Sequence, residues 1–136
     1  MKTLMSKDQA VQITVSLLRM VTALILFQAG ALKIFGWFGG LPAGVTLSPL
    51  IQAAGIIEVI GGPLLFFGLL SRPVAFILSG EMAFAYFIGH FPHGFWPIQN
   101  HGEPAVLLCF AFLFLAAYGG GAWSLDALIR GRHHKS

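Results

Sequence analysis

Residues 55–81 read Gly-Ile-Ile-Glu-Val-Ile-Gly-Gly-Pro-Leu-Leu-Phe-Phe-Gly-Leu-Leu-Ser-Arg-Pro-Val-Ala-Phe-Ile-Leu-Ser-Gly-Glu. Two carboxylates, Glu58 and Glu81, stand inside apolar runs on either side of a short basic hinge, Ser71-Arg72-Pro73. A carboxylate in hydrocarbon costs several kcal/mol, so it is tolerated only where it faces protein, water or a cation. Spacings of three and four put Glu58 on one helical face with Gly55, Gly62 and Leu65. Glycines on such a face let a neighbouring helix come close. A second helix starting at Pro73 carries Glu81 about 12 Å along its axis. The remaining segments have to shelter both acids.

Composition sets the class. The chain has 136 residues and forms one domain, 1–136, on length alone. Hydrophobic residues make up 57% and charged residues only 10%, with a mean hydropathy of +0.81. Soluble domains carry about 25% charged residues. The expected fold is therefore all-α, an integral membrane four-helix bundle in the lipid bilayer. A pI near 9.4 raises nucleic acid as a partner, but the basic residues sit in short segments between apolar runs. That is the pattern of a cytoplasmic membrane face, and nucleic-acid binding is excluded. The single cysteine, Cys109, leaves no intrachain disulfide and no Cys-x-x-Cys pair.

In chain order, the mixed segment 1–10 precedes an apolar run, 11–35, too long for the core of a signal peptide. This run reads as a first transmembrane helix, with Arg19, Thr22, Ala23, Leu26, Gly30 and Lys33 on one face. Lys33, near the helix end, is either a snorkelling residue or part of a site; Arg19 is deeper and needs a partner. A Gly- and Pro-broken loop follows. Ser48-Pro49 starts helix two, 49–70, with a kink expected one turn before Pro63. Helix three, 73–91, and helix four, 104–119, begin at Arg72-Pro73 and Glu103-Pro104. Gly119-Gly120-Gly121 ends the last of these, and 124–130 reads as a capped interfacial helix before a basic tail. Lys2, Lys7, Arg72, Arg130, Arg132 and Lys135 fall on one side, so both termini are expected in the cytoplasm of an inner-membrane, multi-pass protein.

That topology brings Arg19 and Glu81 together in the inner half as an expected structural ion pair. Lys33, Glu58 and Glu103 gather in the outer half beneath two aromatic loops, as a ligand- or proton-handling site or as a structural network. Gly30, Gly61 and Gly62 leave room for a ligand there, or serve packing. His90, His93 and His101 match no established zinc spacing, so no metal is assigned and loop histidines are expected.

Several of these pieces recur together. Arg19 with Gly30 and Lys33, Glu58-Val-Ile-Gly-Gly, Gly68-Leu-Leu-Ser-Arg72, Asn100-His-Gly-Glu103-Pro-Ala and Gly119-Gly-Gly-Ala-Trp-Ser-Leu-Asp126 resemble, in order and spacing, the DoxX family of small four-helix membrane proteins. The resemblance covers nearly the whole chain. It implies a redox setting, since the family takes its name from a subunit associated with quinol oxidase and thiosulfate:quinone oxidoreductase activity. On that basis the chain is a quinone-linked subunit with a redox partner protein and no covalently bound cofactor. Glu58 carries the proton, Lys33 polarises, and Lys33, Glu58, Asn100 and Glu103 contact the ligand. The rival class is a non-catalytic scaffold, assembly factor or small-molecule carrier whose charges set helix register. A homo-oligomer fits either.

Overall fold

The computed structural model describes residues 4–133; the tail positions Lys2, His134 and Lys135 lie outside them. Helix α1 (Lys7–Phe35) begins one turn earlier than its apolar run, because Ser6 closes a capping box with Gln9. It ends at Gly36, whose φ of 70° turns the chain away. Helix α2 (Pro49–Phe67) is capped by Ser48, whose hydroxyl accepts from the Ile51 amide, and is continuous through Pro63. It stops at Gly68, short of Leu70. A side chain at Gly68 would have to adopt a φ of 75° and would run into Ser124 and the Arg19 guanidinium.

Helix α3 (Ser71–Ala85) starts two residues before Pro73. The reason lies far along the chain: the Asp126 carboxylate accepts the amides of Leu70 and Ser71, each at 2.8 Å. An acid supplied from the C-terminal segment thus satisfies the first amides of α3. At its other end α3 widens into a π turn over Tyr86–His90, where the Phe91 amide donates to the Tyr86 carbonyl, and then tightens over Phe91–His93. A short α4 (Pro97–Asn100), α5 (Glu103–Tyr118) and α6 (Leu125–His133) complete the fold, with no strand among the described residues.

Three segments, Lys7–Phe35, Pro49–Phe67 and Ser71–His93, are long and apolar enough to cross a membrane. The protein is an all-helical membrane protein. The expected fourth span is shorter: α5 has 16 residues, about 24 Å against the ~30 Å of a hydrocarbon core.

The four long helices form two pairs. α1 lies along α2 and α3 along α5, whereas the seams between α2 and α3 and between α1 and α5 are sparse. The pairs close on each other at the hinge end. There Val15, Ala23, Leu26, Leu65, Leu78, Phe112 and Leu115 form the apolar core, and the Ser79 hydroxyl donates to the Cys109 carbonyl at 2.7 Å. At the same end Arg19, 1% exposed, reaches across the bundle. Its guanidinium donates to the carbonyls of Gly120, Phe66 (3.2 Å) and Trp123 (2.6 Å). One buried cation thus ties α1, the end of α2 and the Gly-rich segment into a knot beside the hinge. Met82 and Leu108 carry the core on towards the two aromatic loops, where polar side chains stand beside it.

Candidate functional site

Gly30 decides how the site begins. A methyl group there would lie 2.7 Å from Glu58 Cβ, so only glycine lets α1 meet α2 at that level. Close packing sets Lys33 over Gly55, one turn of α2 from Glu58. Side chains on a helix lean towards its N-terminus, so Lys33 extends inward along α1 instead of snorkelling to the loop face. Its ammonium donates to both Glu58 carboxylate oxygens, at 2.7 and 2.8 Å. Glu58 is 1% exposed and Lys33 24%. Glu58 is also the middle residue of α2, so the pair lies midway along the span and not in its outer half.

Glu81 joins this pair instead of Arg19. It lies about as far past the hinge as Glu58 lies before it, so the α2–α3 hairpin brings the two acids to one level. Its charged neighbours are Glu58 and Lys33. Neither Glu81 carboxyl oxygen has a hydrogen-bond partner among the described residues, although both are buried. Three ionisable groups therefore hold two acids and one base. One further proton or cation neutralises the cluster, a balance that low-dielectric surroundings favour strongly.

The cluster borders a cavity of about 570 Å³ in the seam between α2 and α3. Leu50, Ile57, Ile77, Phe84 and Ile88 form its apolar walls, and Lys33, Glu58, Glu81 and His90 its polar floor and end. The wall residues are also exposed on the outer surface of the bundle, so the cavity opens sideways towards lipid. His90 is set there by the π turn. Its Nδ1 lies 3.0 Å from the Asn100 carbonyl oxygen, an acceptor only, so Nδ1 carries the hydrogen and the neutral ring keeps its lone pair at Nε2.

The family model described as DoxX matches residues 14–91. The chain belongs to the DoxX family. The matched region runs from α1 to the end of the π turn, so it contains Lys33, Glu58, Glu81 and His90. A protein of Haemophilus influenzae, described only as uncharacterized, is 45% identical over 86 residues, covering 61% of this chain and 64% of that relative. The aligned part thus spans less than two thirds of the relative's length. No solved structure matches.

Beyond this cluster, the remaining expected site residues of the DoxX chain go elsewhere. Arg19 and Glu81 do not pair: Arg19 is held at the hinge end by three carbonyls, and Glu81 stands at mid-span. Asn100 is buried but fully used within its own loop. Its amide donates to Tyr86 Oη and the Gly94 carbonyl, and its oxygen accepts from the Gly102 amide. It positions the turn that holds His90 and offers nothing to a ligand. Glu103 is exposed in the first turn of α5 and lines neither cavity beside the ion pair. Gly61 and Gly62 press against Leu78 and Phe27, so they serve packing, and neither lines a cavity beside the ion pair. His93 and His101 are exposed loop residues.

Proposed function

We propose that this DoxX protein binds an apolar molecule with a carbonyl-bearing head, of the quinone class, in the α2–α3 cavity and exchanges protons with it through Glu81. It does so as a subunit of a membrane redox complex. The observation that carries the reading is the buried, unpartnered Glu81 carboxyl group on a cavity open to lipid. About 570 Å³ lies within the range of small-molecule sites, roughly 300–1,000 Å³. The apolar walls suit a ring and the start of its tail, and a carboxylic acid or an ammonium suits carbonyl oxygens. When bound, a quinone supplies an acceptor for two electrons and two protons, the electrons coming from a redox partner protein. Glu81 in its acid form donates a hydrogen bond to a carbonyl oxygen, then its proton, and is left as a carboxylate beside Lys33. Glu58 is less suited to that step, since Lys33 occupies both its oxygens. Its part is to hold the Lys33 charge in place.

Replacing Glu81 by glutamine tests the assignment. In nanodiscs the variant is expected to bind a short-tail benzoquinone at least about tenfold more weakly, a loss of about 1.4 kcal/mol. Its melting temperature should stay within a few degrees, because neither Glu81 oxygen is fixed by a hydrogen bond of good geometry and a glutamine can still face Glu58 as the acid form does. A wild-type protein that takes up no quinone at all leaves the scaffold reading in its place.

Orientation follows from the same end-to-end asymmetry. Lys7, Arg72 and Arg130 stand at the end with the hinge and termini, and this charge bias supports a cytoplasmic position for that end. In intact cells a membrane-impermeant thiol reagent should modify Thr46→Cys and spare Leu70→Cys, at an exposed hinge position, each in a Cys109→Ser background. Modification of Leu70→Cys from outside reverses the orientation.

A further inference from the structure

The Lys33–Glu58 pair is bordered by a second cavity, of about 490 Å³, in the opposite seam between α1 and α5. Lys33, Glu58, Ala85 and His90 line both cavities, so the ion pair and the imidazole form the partition between them. The two differ at their mouths. The α2–α3 cavity is rimmed by isoleucine, leucine and phenylalanine that face lipid. The α1–α5 cavity also has apolar walls, among them Ile25, Leu26, Leu32 and Met82, but it runs past Gln28 to Phe38, in the loop after α1, and Pro104, in the first turn of α5.

Gln28 is the informative residue. It is exposed on a helix surface otherwise formed by Val21, Leu24 and Ile25, and its amide makes no hydrogen bond among the described residues. An unpaired amide against hydrocarbon costs several kcal/mol, a penalty that water removes. Gln28, Lys33, Glu58 and His90 together offer the polar partners that ordered water needs in a space of that size.

We propose that the α1–α5 cavity is a hydrated inlet through which protons from the loop face reach the Lys33–Glu58–His90 partition, while the α2–α3 seam admits the apolar ligand. The purpose of the inlet rests on the quinone reading; its hydration does not. A molecule seated in the α2–α3 seam shuts that side to water, so protons used there need another way in. His90 suits the relay. Nε2 accepts a proton from water while Nδ1 keeps its bond to the Asn100 carbonyl, and release towards the carboxylates returns the ring to neutral.

Single cysteines in a Cys109→Ser background, reconstituted in liposomes, test this. Gln28→Cys and Ala29→Cys mark the inlet, and Ile57→Cys and Ile77→Cys the lipid seam. The thiolate, which forms only in water, attacks the sulfur of a charged methanethiosulfonate and expels methanesulfinate, so the rate reports hydration. Both inlet positions are expected to react at least about tenfold faster than both seam positions. Two inlet positions guard against one misfolded variant, and thermal melting identifies such a variant. Equal rates in the two seams, or slow reaction at both inlet positions, overturn the inlet. A short-tail benzoquinone should slow a lipid-soluble maleimide at Ile77→Cys without slowing the charged reagent at Gln28→Cys. Fast inlet labelling with no protection at Ile77→Cys keeps the inlet and removes the quinone reading.

Discussion

Arg19→Ala is expected to lose the folded protein altogether. The guanidinium is buried and donates to three carbonyls, one at the end of α2 and two in the glycine-rich segment after α5. Hydrogen bonds from a charged donor contribute about 1.5–3 kcal/mol each, and the carbonyls left behind have no water to turn to. Even with strong non-additivity the loss exceeds about 4 kcal/mol, a large part of the 5–15 kcal/mol that holds a typical domain. The measurement is the monodisperse fraction in mild detergent with its melting curve. Arg19→Lys, which keeps the charge but not the fork of donors, should fall between. Because Glu81 is not the partner, adding Glu81→Gln to Arg19→Met should restore nothing. Recovery of stability in that double variant means that the two charges do pair, contrary to the geometry described.

Lys33→Met is the second large effect. It leaves Glu58, with 1% exposure, and Glu81 as two acids in hydrocarbon without a base. Breaking a buried pair from one side costs roughly 3–5 kcal/mol. Glu58→Gln alone strands the ammonium and should also destabilise, so it cannot serve as a purely functional probe. Lys33→Met combined with Glu58→Gln removes both charges and should recover most of the loss, with a coupling energy at the upper end of about 0.5–3 kcal/mol. Thermal unfolding of the wild type, the two single variants and the double variant closes the cycle. Strict additivity of the two losses denies the pair.

These two networks were not equally visible in the sequence. On α1 the three-and-four spacing of Arg19, Thr22, Ala23, Leu26 and Gly30 marks a face that is indeed buried. Lys33 and Glu58 stand out as charges in apolar runs, and glycine at position 30 announces a close helix. The partner of Arg19 was invisible because its acceptors are backbone carbonyls of a glycine-rich turn, groups that carry no side-chain signature. The level of Glu81 is hidden in the sequence because it depends on both ends of the hinge. Gly68 stops α2 early, and Asp126, more than fifty positions away, lets α3 start early. Counting outward from Gly68 and Ser71 would have paired the two glutamates. His90 enters the site through a π turn, and no residue pattern in Tyr86–His90 signals that extra widening.

The arginine knot also imposes an order on biosynthesis. Arg19 is translated with α1, whereas two of its three acceptors, at Gly120 and Trp123, follow only after α5. Until that segment is made the α1–α2 hairpin carries a cation with only the Phe66 carbonyl of its three acceptors, and the glycine-rich segment supplies the other two. A polypeptide cut short before Gly120 therefore retains a polar signal inside the membrane. The same contact that holds the mature bundle thereby distinguishes chains that have gained the glycine-rich segment from those that have not.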